Sequence, residues 1–154
     1  MSKDKNVVAP ISGTVMNIED VKDDVFAKKM MGDGIAIIYE GGDVYAPYDG
    51  VITAVVPSQH AVGITGDNGI EMIIHIGLET VELLNNPPFN CIVKTDDKVK
   101  QGQKLIEINE DKLLSSGFDL SSPMVILNSG EYNLVRVHDK DTRITAVQDS
   151  IFTY

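Results

Sequence analysis

The sequence of 154 residues has one cysteine, no tryptophan and little positive charge. A single cysteine, Cys91, excludes an intrachain disulfide and a cysteine-rich zinc module. The 13 Lys and Arg against 23 Asp and Glu give a formal charge of -10, which disfavours nucleic acid and anionic membranes as partners because both would repel the molecule. Five tyrosines and four phenylalanines leave most of the core to Ile, Val, Leu and Met.

Long apolar runs are also missing. No stretch approaches the roughly 18 to 20 residues that span a bilayer, and residues 1–10 lack the apolar centre of a secretory signal. We therefore expect a cytoplasmic protein without membrane insertion. With 43% hydrophobic residues, the length suits one domain over 1–154, expected to be monomeric. The initial Met1 and the absence of a linker favour a free protein over a domain of a longer chain.

Short β-rich runs separated by Gly, Pro, Asn and Asp fill most of the chain. They are Thr14–Ile18, Ile35–Tyr39, Val51–Val56, Val62–Thr65, Ile70–Ile76, Leu105–Ile108 and Met124–Leu127. This spacing predicts an all-β, antiparallel sandwich or barrel-like domain. Helical signals are few: aspartates that can cap a helix begin the segments Asp23–Met31 and Asp111–Gly117, and each segment is followed by or ends in glycine. One or two very short helices are expected.

Two β runs flank the segment Gly66–Gly69, whose sequence Gly-Asp-Asn-Gly predicts a hairpin. A two-residue loop of Asp67 and Asn68 pairs His60 directly with His75, and a loop shifted by one residue makes the histidines diagonal neighbours. A three-residue loop with a bulge would break this pairing. Either two-residue loop surrounds the imidazoles with apolar side chains, namely Val62, Ile64 and Ile73.

A single histidine in such a position is more often structural than functional, but a facing pair suggests chemistry. Two imidazoles in contact cannot both be cationic at low cost, so at least one should stay neutral and keep a nitrogen lone pair. That lone pair could attack an electrophile or bind a metal. If it attacks phosphorus, the second imidazole can donate a hydrogen bond to the phosphoryl oxygens.

The residues around His75 resemble a known family. The segment 69–81 reads G-I-E-M-I-I-H-I-G-L-E-T-V. It is similar throughout to the phosphohistidine signature of the glucose-type IIA components of the bacterial phosphoenolpyruvate-dependent sugar phosphotransferase system. Segments 18–27, 30–37, 102–105 and 122–126 also resemble landmarks of that family, so the likeness covers about residues 7–128. It implies one EIIA type-1 domain with a barrel-sandwich hybrid fold. The tail 131–154, including His138, is interpreted as closing strands with a structural histidine.

The resemblance implies a phosphocarrier that works without a cofactor. His75 would accept a phosphoryl group from the small carrier protein HPr and pass it to the IIB domain of a sugar permease. His60 would bind the phosphoryl oxygens, and Ser58, where the family usually has Thr, would orient His60. The backbone carbonyl of Gly77 would accept a hydrogen bond from Nδ1 of His75, which leaves Nε2 as the nucleophile.

The resemblance also implies a docking face, an apolar ring with acidic residues at its edge. Its members would be Asp23, Val25, Phe26, Met30, Val56, Ile73, Glu79 and Val81. An apolar ring can exclude water from the phosphoryl group, and carboxylates attract a basic carrier. Phe26 and Met30 would otherwise be interpreted as core residues at helical i, i+4 spacing. Three positions depart from the usual family residues: Lys22 replaces Pro, Glu79 replaces Asp, and Val56 replaces Phe.

Three other functions fit parts of the sequence. Facing imidazoles with a carboxylate such as Glu79 could form an open zinc site, although no H-E-x-x-H motif is present. The carrier chemistry itself needs no metal, so zinc at His60 and His75 would be adventitious. The turn 97–102 resembles those of biotinyl and lipoyl domains but lacks the lysine flanked by Met or Ala. A regulatory protein could use the same face, with partners that depend on phosphorylation state.

Overall fold

Short strands joined by tight turns build most of the chain. A computed structural model describes residues 5–78 and 87–154. The strands within these ranges are β1 (Asn6–Val8), β2 (Ser12–Asn17), β3 (Asp33–Gly41), β4 (Val44–Tyr45), β5 (Gly50–Val55), β6 (Ala61–Gly66), β7 (Glu71–His75), β8 (Phe89–Cys91), β9 (Lys98–Val99), β10 (Lys104–Ile108), β11 (Ser121–Ile126), β12 (Val135–Arg136), β13 (Arg143–Ile144) and β14 (Ser150–Thr153). Each predicted β run overlaps one of these strands.

Two short α-helices lie in the described ranges, α1 (Asp24–Ala27) and α2 (Glu110–Leu114). The predicted first helix begins as expected, because the Asp23 carboxylate accepts a hydrogen bond from the backbone N–H of Val25 at 2.9 Å. It ends earlier than Met31, since Lys29 adopts a φ of 56° that no α-helix allows. In the part of the chain that the structure describes, no helix is long and apolar enough to cross a membrane.

The strands form three antiparallel sheets, in agreement with the predicted all-β fold. The largest has the order β13-β2-β3-β11-β7-β6-β5-β9. The other two have three strands each, in the orders β4-β10-β8 and β1-β14-β12. The tail therefore supplies β12, β13 and β14. It also contacts the hairpin between β6 and β7, where the Tyr132 hydroxyl donates to the carbonyl of Asn68 and the Asn68 amide donates to the Tyr154 hydroxyl.

Strand β7 separates two apolar clusters because its side chains alternate between the two faces of the sheet. Met72 and Ile74 are buried in the main core, with Val62 and Ile64 of β6. Residues 73 and 75 lie on the opposite face. On that side a second, smaller cluster joins Phe26 of α1 to other buried residues, including Ile18, Val21, Ala36, Leu78 and Val125. The second cluster holds α1 against the face that carries His75.

The predicted two-residue hairpin loop is wrong. Ala61, rather than His60, pairs with His75, and Thr65 pairs with Glu71. The loop has three residues, Asp67 to Gly69, closed by a hydrogen bond from the Gly66 N–H to the Ile70 carbonyl. Gly69 has a φ of 88°, the left-handed conformation that a three-residue loop requires and that glycine adopts without strain.

This change of register also corrects the predicted surroundings of the imidazoles. A shift of one residue moves side chains to the other face of a strand. Val62 and Ile64 are therefore buried in the main core instead of lying beside the histidines. Ile73 does share the face of His75, two residues away on β7, as predicted.

Candidate functional site

The two histidines are in contact although their strands do not pair them. His75 is the last residue of β7, and His60 precedes the first residue of β6. Their Nε2 atoms lie 3.2 Å apart. The ring centroids are 4.6 Å apart, and the ring planes are nearly perpendicular at 88°. The predicted pair is therefore present, but the connection between β5 and β6, rather than the β6–β7 register, brings His60 to it.

A tight turn orients His60. The N–H of Gln59 donates to the carbonyl of Val56 at 2.9 Å, and Gln59 has a φ of 64°. The backbone reverses here, so strand alternation does not determine the direction of the next side chain. The carbonyl of His60 accepts a hydrogen bond from the N–H of Ile76 at 2.9 Å, and Nδ1 lies 2.5 Å from the Ser58 hydroxyl. These contacts hold the backbone and ring of His60.

The turn after β7 orients His75. Gly77 has a φ of 72°, which directs its carbonyl back toward the imidazole, 2.8 Å from Nδ1. A residue with a Cβ would be strained in that conformation. The N–H of Gly77 donates to the Ser122 hydroxyl at 3.0 Å, and that hydroxyl donates to the carbonyl of Leu120. The buried Ser122 thus fixes the turn that fixes the His75 ring.

These contacts assign the protons of both neutral imidazoles. A carbonyl only accepts, so Nδ1 of His75 carries the proton and donates to Gly77, which leaves a lone pair on Nε2. Nε2 of His60 must then carry a proton to donate to that lone pair. Nδ1 of His60 in turn accepts from the Ser58 hydroxyl. One continuous chain of donors runs from Ser58 through His60 and His75 to Gly77.

Both imidazoles favour the neutral form. Burial, together with the neighbouring His75, lowers the pKa of His60 to about 4. Burial also lowers the pKa of His75, against opposing effects of its hydrogen bond to Gly77 and of the Asp23 carboxylate. A neutral His75 with a free Nε2 lone pair is a nucleophile at neutral pH, and a neutral His60 is a hydrogen-bond donor that does not repel it.

We expect these pKa shifts to be visible in acid. An unfolded histidine titrates near pH 6.5, so between about pH 6.5 and pH 4 the unfolded chain binds more protons than the folded one. The contribution of the neutral pair to the free energy of unfolding is fully present above that window and is lost as the pH falls through it. In 15N NMR spectra, His60 should remain neutral until about pH 4. The urea-unfolded protein is the control. Titration of folded His60 near pH 6.5 would contradict this assignment.

Phe26 forms the apolar wall of the site. It lies on α1 and is 8% exposed, with its ring centroid 5.3 Å from that of His75. The core interpretation of Phe26 thus describes part of its role, since the residue both fills the second cluster and covers His75. Phe89 of β8 contacts the other ring, at a centroid distance of 6.3 Å from His60.

The other proposed docking residues differ in exposure. Val25 lies on α1 and is 41% exposed, and Met30 follows α1 and is 70% exposed. Ile73 and Val56 are half-buried. Asp23 caps α1 and also lines a cleft of about 310 Å³ with Lys22, Leu78 and Asp119. Glu79 and Val81 lie outside the described residues.

Metal binding has little support in the described residues. His60 and His75 supply two imidazole nitrogens, and no group of three His, Cys, Asp or Glu side chains in ranges 5–78 and 87–154 could hold a metal ion. Both Nε2 atoms are engaged with each other. A zinc ion there would require Nε2 of His60 to lose its proton, and it would need further ligands elsewhere.

Three residues at the site were not identified from the sequence: Ser122, Phe89 and Gln59. Ser122 holds Gly77, Phe89 packs against His60, and the Gln59 side chain accepts a hydrogen bond from the N–H of Cys91 at 2.9 Å. Each lies on an element distant in sequence from its partner or acts through a turn. Local spacing gives no signal for such contacts.

Comparisons with known proteins identify the family of the chain. A model of the family described as phosphoenolpyruvate-dependent sugar phosphotransferase system, EIIA 1, matches residues 5–132. The chain is 40% identical over 143 residues to a glucose-specific EIICBA component of that system from Staphylococcus saprophyticus, over 93% of this chain and 21% of the relative. It is also 40% identical over 132 residues to a glucoside-specific EIICBA component from Staphylococcus carnosus, over 86% of this chain and 19% of the relative.

A solved structure matches over nearly the whole chain. The glucose permease IIA from Mycoplasma capricolum superposes with a TM-score of 0.83 at 32% sequence identity, covering 98% of this chain and 96% of that one. The chain spans about a fifth of the length of the two staphylococcal relatives. At 32% sequence identity, the chain resembles the Mycoplasma protein in sequence as well as in fold.

Proposed function

The chain belongs to the EIIA 1 family of the phosphoenolpyruvate-dependent sugar phosphotransferase system. We propose that, like other members of this family, it takes a phosphoryl group from HPr and passes it to a IIB domain, and that Nε2 of His75 carries the group. The observation that carries this proposal is the proton assignment. Gly77 holds the Nδ1 proton of His75, so the lone pair is on Nε2, the atom that faces His60.

The first transfer requires no residue beyond the neutral pair. Nε2 of His75 attacks the phosphorus of phosphohistidine on HPr, in line with the bond that breaks. A nitrogen–phosphorus bond forms on His75 as the one on HPr breaks, and the HPr imidazole leaves with the electron pair. Because nucleophile and leaving group are both imidazoles, the free-energy change of the transfer is small, and the step needs no metal.

His60 stabilises the group in transit. Its Nε2–H, which donates to His75 in the free protein, would donate instead to an oxygen of the phosphoryl group attached to His75. Ser58 is a positioning residue, since its hydroxyl holds Nδ1 of His60. In the second transfer a cysteine thiolate of the IIB domain attacks the phosphorus, and His75 leaves as neutral imidazole after taking up the electron pair.

We assign partner docking to the surface around Phe26. Val25 and Met30 supply exposed apolar area near Phe26 on and just after α1, and the half-buried Ile73 and Val56 are assigned to the same surface. Asp23 supplies negative charge for a basic carrier. The family resemblance assigns Glu79 and Val81 to the same docking surface. Water exclusion by such a ring protects a phosphohistidine from hydrolysis while the two proteins are in contact.

Met30 offers a direct test of this surface. Because Met30 is 70% exposed, Met30→Ser should leave the thermal unfolding midpoint nearly unchanged, yet it should raise the half-saturating concentration of HPr about three- to tenfold. Val135→Ser is the matched control, since Val135 is 53% exposed and lies on β12, which is not in the sheet that carries His75. Equal effects of the two substitutions in a steady-state transfer assay would contradict the docking assignment.

The docking surface could also serve regulation, and its partners imply a cytoplasmic location. Phosphorylation of His75 would place negative charge in the middle of an apolar surface, so partners could distinguish the two forms of the protein. We propose that the chain works as a monomer on the cytoplasmic side, where HPr and the IIB domain would meet it. Its charge of -10 also favours a solvated, unassociated state.

A reconstituted relay tests the proposed function. Labelled phosphoenolpyruvate, Enzyme I, HPr, this chain and a purified IIB domain are combined, and the label on each protein is followed with time. We expect label to reach the IIB domain only when the chain is present. Comparing several IIB domains then identifies the sugar permease that it serves. Transfer to IIB in the absence of the chain would refute the carrier role.

A further inference from the structure

We propose that Gln59 is a positioning residue for His60, and that its side chain controls the second transfer by tying the His60 turn to β8. The inference rests on the proposed phosphocarrier function. It begins with the backbone: Gln59 has a φ of 64°, a conformation that few residues other than Gly, Asn and Asp adopt without cost. The turn therefore needs a contact that holds it.

The side chain of Gln59 supplies that contact. Its Oε1 accepts a hydrogen bond from the N–H of Cys91 at 2.9 Å. Cys91 is the last residue of β8, an edge strand that pairs only with β10 in the described part of the chain. The N–H of Ile92 donates to Leu105 on the paired edge, so the N–H of Cys91 points to the open edge, as alternation in an antiparallel pair requires. Gln59 thus joins two different sheets.

The same strand contacts the ring that Gln59 precedes. Phe89, two residues before Cys91, packs against His60 at a centroid distance of 6.3 Å. His60 is hydrogen-bonded to Ile76 through its carbonyl and to His75 through Nε2. In addition, the Ser58 hydroxyl holds Nδ1, the ring of Phe89 packs against the imidazole, and Gln59 fixes the backbone turn. Without the Gln59 contact, β8 and the turn can move apart, and Nε2 of His60 loses its fixed distance from His75.

The test compares two substitutions of similar size. Gln59→Asn tolerates the positive φ but is one methylene too short to reach Cys91, whereas Gln59→Glu keeps an acceptor oxygen at the same reach. In the relay at pH 8, well above the pKa of His60, Gln59→Asn should slow transfer to the IIB domain about tenfold. Labelling of Gln59→Asn from HPr should change less than about threefold. Gln59→Glu should transfer label to the IIB domain at the wild-type rate.

A measurement without partners decides the inference independently. In 15N NMR spectra, wild-type His60 should hold its proton on Nε2, and Gln59→Asn should populate both tautomers. Thermal unfolding verifies that the variant is folded under these conditions. Wild-type transfer with an unchanged His60 tautomer in Gln59→Asn would overturn the proposal, as would an equal loss in Gln59→Glu. Failure of the carrier function itself would appear separately, as normal labelling of His75→Ala.

Discussion

His75→Ala is expected to abolish labelling of the chain from phosphoenolpyruvate, Enzyme I and HPr. The substitution removes Nε2 of His75, the unprotonated nitrogen that acts as nucleophile, and leaves His60 with its own Nε2 protonated and its Nδ1 occupied by Ser58. Loss of a nucleophile cannot be offset by the groups that remain, so the rate should fall by more than about 10³-fold. Labelled protein is measured by gel after a single turnover with phosphorylated HPr.

His138→Ala is the matched control for this experiment. His138 lies in the tail, with Nε2 3.8 Å from an Asp149 oxygen, and contributes nothing to the site described above. We expect that variant to be labelled at the wild-type rate. The label itself should be lost in acid and kept in base, which is the behaviour of phosphohistidine and not of phosphoserine. Normal labelling of His75→Ala would refute the assignment of His75.

The sequence predicts the pair of histidines but gives the wrong reason for their contact. Alternation along a strand determines faces only if the register is known, and the register here depends on whether the loop has two or three residues. Gly66–Gly69 is compatible with both. Gly69 adopts the left-handed conformation and adds the third residue, so His60 owes its position to the turn at Gln59. The Gln59 side chain contacts Cys91 of β8, which is 32 residues away in the chain and leaves no local signal.

The strands themselves could be predicted because their burial follows a short period. β2 and β7 alternate between buried and less buried side chains. Strand β11 does not alternate, since all of its residues are buried, with Met124 and Ile126 in the main core and Val125 in the second cluster. The end of α1 was missed for a different reason: the sequence up to Met31 tolerates a helix, but Lys29 adopts a φ of 56°, and the chain enters β3 at Asp33.

The orientation of the two imidazoles depends on contacts that bring distant segments together. Gly77 was anticipated through the family resemblance, and its carbonyl is indeed 2.8 Å from Nδ1 of His75. Ser122, which fixes Gly77 from 45 residues away, was not. Residue type at one position can suggest a nucleophile, whereas the tautomer that makes it reactive requires the full hydrogen-bond chain.

His60→Ala is expected to separate the two transfers. Attack by His75 on phosphorylated HPr brings a neutral imidazole to the phosphoryl group, so the first transfer should continue within about tenfold of the wild-type rate. The second transfer brings a thiolate, whose negative charge approaches the phosphoryl oxygens. That step depends on the Nε2–H donor of His60, and its loss should slow transfer to the IIB domain about 10²- to 10³-fold.

The two steps can be measured in one sample, because label accumulates on the variant when only the second step fails. Purified labelled His60→Ala is mixed with a IIB domain, and loss of label from one protein is followed with its gain on the other. His138→Ala passes label at the wild-type rate in the same assay if histidine removal alone has no effect. Since His60 is 7% exposed, its removal also leaves a small cavity beside Phe89, so thermal unfolding is recorded for each variant. Rapid transfer from folded His60→Ala to IIB would show that thiolate attack needs no donor at this position, and the role assigned to His60 would fail while that of His75 stood.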